Sequence, residues 1–394
     1  MLRKNRLFTP GPTPLLPAAQ RAMAAADIHH RTADFRAIFQ KVLSDLKQFI
    51  GTQNDVLLLS SSGTGAMEAA VSNLTSPGDR VLVITAGKFG ERWVDLVQAY
   101  QCKVNVAEAP YGQTVSLETV KSKLSAETKV VYMQASESST GASHDVSGVA
   151  RLLTGTDTLL VVDAITGLGT THFEVDTWGI DVIIGGSQKA VMIPPGLAYL
   201  AVSGRAWERM DSAKQLRYYF DLKRERKAAA KGESAFTPPI ALIAGLAAAM
   251  DYIRDAGKGD LVAGREALIH NAEVAAAMTR AAAKALGLKL FSPTAPGAAL
   301  TALVPPNGVS SNDIVKQFRE QFGAVVANGQ GEMKGQLFRI AHLGYYDYLD
   351  TIGIIAALEQ VLTSLKASTV EFGSGVRAAQ EEFARTTSEK AVHA

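Results

Sequence analysis

The chain has 394 residues, 47% of them hydrophobic and 20% charged, with a formal net charge of +2. That length and balance suit a soluble globular protein with two domains of unequal size, and they exclude a concentrated basic footprint for nucleic acid and a repulsive acidic tail. The single cysteine, Cys102, excludes a disulfide framework within the chain and a multi-cysteine zinc site, and it fits a reducing, cytoplasmic setting.

The N-terminal run "MLRKNRLFTPGPTP" carries positive charges without a following apolar stretch, so it does not read as a secretory leader. From residue 55 to residue 205 short β-rich runs alternate with amphipathic ones. The expected strands are 55–60, 80–85, 102–108, 128–135, 158–164, 181–186 and 197–203. Several are apolar at consecutive positions, as strands buried on both faces are. The runs "GTGAMEAAVSNL", "GERWVDLVQAY", "SLETVKSKL" and "VSGVARLLTG" read as the helices between them. This alternation implies a doubly wound α/β domain built on a parallel sheet, with chemistry beyond the carboxyl ends of its strands.

An alanine-rich helix follows at about 239–256; its run "PPIALIAGLAAAM" is too short to span a membrane. Residues 257–368 read as a smaller α+β unit with a long helix and the strands "ALTALVPP" and "QLFRIAHLG". The domains expected are therefore an arm at 1–15, a large domain at 16–256, a small domain at 257–368, and a short helix with a frayed tail at 369–394. The run "DLKRERKAAAKGE" reads as a solvated helix face or a mobile loop. His144, His172, His270, His342 and His393 lack the spacing of metal ligands, so no metal site is expected.

Four strand ends carry unusual polar groups. "LLLSSSGTGAMEAA" places Ser62, Gly63 and Thr64 between a strand and a helix. This is a candidate phosphate cradle at a helix N-terminus, or equally a glycine-rich turn with a serine cap. "MQASESSTGA" crowds Glu137, Ser138 and Ser139 after a buried strand, which alone reads as a polar loop. Asp163 in "LLVVDAITGLG" follows four apolar residues and needs a cation or donors, unless it is a helix cap. Lys189 in "GGSQKAVMIPPG" has no acid within ten residues after it, and either snorkels outward or sits in apolar surroundings. An anion cradle, a rim carboxylate and a lysine whose pKa an apolar pocket lowers together match what pyridoxal 5'-phosphate requires.

At these residues the sequence resembles the class V aminotransferases of the alanine–glyoxylate / serine–pyruvate type. The resemblance lies in "LFTPGPTPL", "HHRTADFR", "SSGTGAMEAA", "GKFGERW", "ESSTGA", "VVDAITGLG", "GGSQKAVMIPPG" and "FRIAHLG", in order, from about residue 7 to 368. It implies the α/β fold type I of pyridoxal-phosphate enzymes, with a large mixed, mostly parallel sheet domain and a smaller α+β C-terminal domain, and a homodimer with shared active sites. Lys189 would form the Schiff base and act as general base, and Asp163 would hold a proton on the pyridine nitrogen. Ser62, Gly63, Thr64 and Gln188 would take the phosphate, joined by Thr237 from the partner subunit. Phe89 would stack on the ring, Ser138 would bond its 3-oxygen side, and Arg339 would clamp the substrate α-carboxylate. Ser234 stands where many relatives place a tyrosine that contacts the phosphate. The implied reaction is ping-pong transamination through aldimine and ketimine, from alanine, serine or aspartate to glyoxylate or pyruvate. Phosphoserine aminotransferase and cysteine desulfurase share the fold, and a catalytically inactive scaffold is the non-enzymatic alternative. The desulfurases need a late, mobile cysteine and usually a histidine before the lysine, where this chain has Gln188.

Overall fold

The computed structural model describes residues 3–366 and 370–391. Fourteen strands occur among them: β1 Arg6–Phe8, β2 Asp55–Leu59, β3 Arg80–Thr85, β4 Lys103–Glu108, β5 Thr128–Gln134, β6 Ser136–Glu137, β7 Ala142–Ser143, β8 Leu159–Asp163, β9 Val182–Gly186, β10 Ala198–Val202, β11 Lys289–Leu290, β12 Leu300–Val304, β13 Ala324–Asn328 and β14 Phe338–Ala341. Seven of them form the large sheet in the order β2-β10-β9-β8-β5-β3-β4. Only β10 runs against the others: it is antiparallel to both β2 and β9, and the remaining pairs are parallel.

The apolar runs of these strands divide their side chains between two cores. Leu160 and Val162 of β8 join the core on one face, with Phe35, Phe39, Leu46 and Met250, while Leu159 and Val161 join the other, with Met67, Val71 and Trp93. Period-two alternation therefore decides which side each residue serves. Fully burying such a side chain contributes roughly 1.5–3 kcal/mol, so sheet and helices hold each other firmly. The same parity turns Asp163, the next residue after Val162, toward the face of the helix Gly63–Leu74.

The helix Ala33–Ile50 was not among the expected elements. Thr32 caps its start and Gly51, at φ +79°, ends it, while Phe35, Phe39, Val42, Leu46 and Phe49 line its buried side at helical spacing. Of the two readings of the charge run, the helix is the one found: residues 222–229 form a helix, not a mobile loop. Leu222 and Glu225 are buried beneath it, and Arg226 and Lys223 pair with Asp55 and Asp211. The closing helix, Ser374–Ala391, is longer than the short one expected. It packs Ala379 and Phe383 against Val274, Met278, Ala282 and Ile355. His393 lies outside the described residues. Among those described, no helix is long and apolar enough to cross a membrane.

The smaller sheet has the order β1-β13-β14-β12-β11. Its edge strand β1 comes from the N-terminus and pairs in parallel with β13. Phe338 and Ile340 of β14 enter a core with Phe318 and Leu358, whereas Leu337 and Ala341 enter the core on the opposite face. Arg339 lies on that second face, opposite Ala302 and Ala327, whose small side chains leave it room. There the smaller sheet meets the β6–β7 hairpin of the larger unit. Ser143 donates its N–H to Ala295 O at 2.8 Å, and Gly297 donates to Gly141 O at 2.9 Å.

Candidate active site

Lys189 follows β9 and turns back under the N-terminal segment. Its side chain is 8% exposed, and its Nζ donates to Pro10 O at 2.5 Å. Thr13 ties the two segments together, since its N–H donates to Gln188 O at 3.1 Å and its hydroxyl to Lys189 O at 3.0 Å. The polypeptide of Gly11 lies directly against the amine. A Cβ at that position would stand 2.5 Å from Nζ, so only glycine permits the approach. The motifs "TPGPTP" and "GSQKAVM", far apart in sequence, thus form one wall.

Asp163 ends β8 and is buried. Its Oδ1 accepts from Ile165 N–H at 2.9 Å, while its own carbonyl accepts from Ala135 N–H. Burial is the main influence on its carboxyl and pushes it up to about 6; the Ile165 amide and the charges of Lys189 and Arg92 pull the other way. Burial also pushes the Lys189 amine down to about 8, opposed by Asp163 and aided by Arg339 and Arg92. Between those values the carboxylate and ammonium coexist, and burial brings the neutral amine closer to neutral pH.

The helix Gly63–Leu74 points its N-terminus into the same space. Ser62 occupies the cap position but makes no side-chain cap hydrogen bond, so amide donors of the first turn stay available to an anion. A side chain at Gly63 would collide with Ile165, its Cβ falling 2.2 Å from Cδ1. Gln188 has a buried Oε1 without a partner.

Arg339 is 4% exposed. One terminal nitrogen donates to Ser138 O at 2.6 Å, the other donates to Asn328 O, and Nε is buried without a partner. Burial lowers its pKa to about 10, with Glu137 acting against that, so it remains a cation at neutral pH. Ser138 and Phe89 lie on either side of the Glu137 carboxylate. Glu137 is fully buried and accepts from Phe89 N–H and Gly90 N–H at 3.1 Å each, and from the Ser139 hydroxyl at 2.5 Å. It therefore anchors the first turn of the helix Lys88–Ala99, which carries Phe89, to the loop that holds Arg339. Gly87 leaves room for it: a Cβ there would lie 2.5 Å from the Glu137 side chain.

Two predicted residues stand apart from this group. Thr237 is exposed in its own chain. The Ser234 hydroxyl turns back to Phe236 O within its own loop. Glu137 and Arg92 are the site residues that sequence reasoning passed over. Glu137 looked like one polar residue among several, and Arg92 like one charge on an amphipathic helix. Cys102 lies at the start of β4, at the opposite end of the sheet from Asp163, and burial pushes its thiol up. Among the described residues no group of three or more His, Cys, Asp or Glu side chains is placed to hold a metal. His144 and His342 are core groups pushed down to about 4 and about 3 by burial.

The sequence profile of the family described as "Aminotransferase class-V" matches residues 18–336. The chain belongs to that family. A "Soluble hydrogenase 42 kDa subunit" of Anabaena cylindrica is 39% identical, over 96% of this chain and 99% of that one. An "L-aspartate--glyoxylate aminotransferase" of Paracoccus denitrificans is 34% identical over 98% of both chains. Among solved structures, an aspartate aminotransferase of subgroup IV from Thermus thermophilus superposes with a TM-score of 0.84 at 35% identity, covering 91% of this chain and 99% of that one. The fold is that of the fold type I aminotransferases, and the chain is an aminotransferase by descent and architecture.

Proposed function

We propose that this aminotransferase moves an amino group from a small amino acid, alanine, serine or aspartate, to glyoxylate or pyruvate, with pyridoxal 5'-phosphate bound at Lys189. The observation that carries the proposal is the burial of Lys189 and Asp163 within each other's electrostatic reach, beside a helix N-terminus with unspent amides, together with the buried Arg339 and its unpartnered Nε. The residues present fit the cofactor: a lysine amine lowered by burial, a buried carboxylate, and backbone amides at Gly63 and Thr64 that can donate to a phosphate. When bound, the cofactor supplies an aldehyde carbon and a pyridinium ring that accepts electrons.

The chain's own residues divide the remaining work. Lys189 Nζ would take the proton from the substrate Cα and deliver it to the former aldehyde carbon of the cofactor in one half-reaction, and would carry a proton the opposite way in the other. Asp163 keeps its charge at neutral pH and can hold a proton on the ring nitrogen. Phe89 offers a flat apolar face, fixed from behind by Glu137. Arg339 presents a planar fork to the α-carboxylate that every donor and acceptor shares. Ser138 fixes that fork through its carbonyl, and its hydroxyl is assigned to the ring's 3-oxygen side.

Thr237, exposed in its own chain, is assigned to the phosphate of a partner subunit, which makes the working unit a homodimer. A large unit at 16–256 carrying the cofactor and a small one at 257–368 carrying Arg339 complete the organisation. A chain with one free thiol suits the cytoplasm. The hydrogenase name of one relative is not carried over, because an iron–sulfur cluster takes several cysteine thiolates and this chain has Cys102 alone. Steady-state assays of alanine, serine and aspartate against glyoxylate, pyruvate and 2-oxoglutarate test the proposal. Parallel-line kinetics with glyoxylate or pyruvate are expected, and no amino transfer with any pair refutes it.

A further inference from the structure

The residues assigned to the phosphate, Ser62, Gly63, Thr64, Gln188 and Thr237, are all neutral, whereas a phosphate monoester carries close to two negative charges at pH 7. Arg92 is the cation beside them. It lies one helical turn after Phe89, and its guanidinium carbon sits 4.8 Å from the Phe89 ring centroid. From there its terminal nitrogen donates to the Thr64 hydroxyl at 3.1 Å. That uses one of five N–H donors.

No carboxylate among the described residues pairs with Arg92. Glu91, next to it in the chain, bonds to Lys88 and Tyr111, Glu68 of the neighbouring helix accepts from the Tyr100 hydroxyl at 2.8 Å, and Asp95, one turn on, makes no ion pair with it. A half-buried guanidinium that faces Thr64 with no acid paired to it keeps donors available for a ligand anion. Its field also reaches the reactive pair, lowering both Asp163 and Lys189. A bound dianion would offset that field.

We propose that Arg92 is a further cofactor-binding residue, whose guanidinium takes the phosphate together with the amides of Gly63 and Thr64. The inference rests on the pyridoxal-phosphate reading above. Arg92 gives the phosphate site its positive charge and, through Thr64 and Phe89, fixes it relative to the ring platform.

The test compares two ligands that differ only in the phosphate. Cofactor-free wild type, Arg92→Lys and Arg92→Gln are titrated with pyridoxal 5'-phosphate and with pyridoxal, followed by visible absorbance, with thermal unfolding as the control for folding. Arg92→Gln should lose about 10- to 100-fold in affinity for the phosphorylated ligand, the worth of one or two charge-assisted hydrogen bonds. Its affinity for pyridoxal should stay within about 3-fold. Arg92→Lys keeps the charge without the fork and should fall between. Equal losses for both ligands, or none for either, would overturn the inference, as would a defect confined to the KM of dicarboxylic substrates. A wild type that binds pyridoxal 5'-phosphate at Lys189 while Arg92→Gln shows no selective loss refutes the role of Arg92 alone. A wild type that binds neither ligand refutes the cofactor reading with it.

Discussion

Replacing Gly11 by alanine tests whether the N-terminal segment positions the reactive amine. The added Cβ would lie 2.5 Å from Lys189 Nζ, 2.8 Å from Cε and 2.9 Å from Cδ. Apolar contacts relax to about 3.5–4.0 Å, so the end of the lysine must retreat by about 1 Å and give up its bond to Pro10 O. The atoms in the way belong to a flexible side chain, so the fold absorbs the change through Lys189 rather than through its core. Gly11 also sits at φ +150°, and an alanine held there adds strain of roughly 1–3 kcal/mol, which lowers Tm by a few degrees in a chain of this size. Displacing a reacting group by about 1 Å costs on the order of 100-fold in rate. Single-turnover measurements of the donor half-reaction, with calorimetry alongside, should therefore show a folded protein that retains cofactor and is about 100-fold slower. A rate within about 3-fold of wild type would show that Gly11 does not set the position of the amine.

Two further substitutions address the charges. Asp163→Asn should retain cofactor but lose about 1,000-fold or more in turnover, roughly 4 kcal/mol of barrier. In the cofactor-free protein, acylation of Lys189 should rise with pH through a midpoint near 8 instead of 10.5, because burial favours the neutral amine. Asp163 holds that midpoint up, so Asp163→Asn should move it lower; an unchanged or raised midpoint would contradict that electrostatic coupling. Arg339→Lys should raise KM about 10- to 100-fold for every donor and acceptor together, with cofactor absorbance unchanged. A shift for one substrate only would remove Arg339 from the common carboxylate.

The strands of the large sheet were legible because they are buried on both faces. In "RVLVIT" the four residues Val81–Ile84 are apolar in succession and buried, and the run forms a strand over Arg80–Thr85 as the sequence indicates. The direction of β10 was not legible, since period-two patterning is the same for parallel and antiparallel neighbours. The helix Ala33–Ile50 carried a Thr cap, a terminal Gly51 and a spaced aromatic face, and could have been found from those signals. At the site, Lys189 and Asp163 announced themselves as charges placed against apolar strands. Glu137 did not, because its partners are backbone amides of Phe89 and Gly90, which no side-chain pattern reveals. Arg92 was hidden for a different reason. Its distinction is the absence of an ion pair, and that is visible only once the acids nearby are seen to be committed elsewhere.

The most direct test of the account is chemical. Purified holoenzyme is reduced with borohydride, digested, and the peptide that carries the cofactor is identified by mass spectrometry. The account predicts a single labelled peptide modified at Lys189, with no label in Lys189→Ala. Label on a different lysine, or none in the wild type, would contradict it.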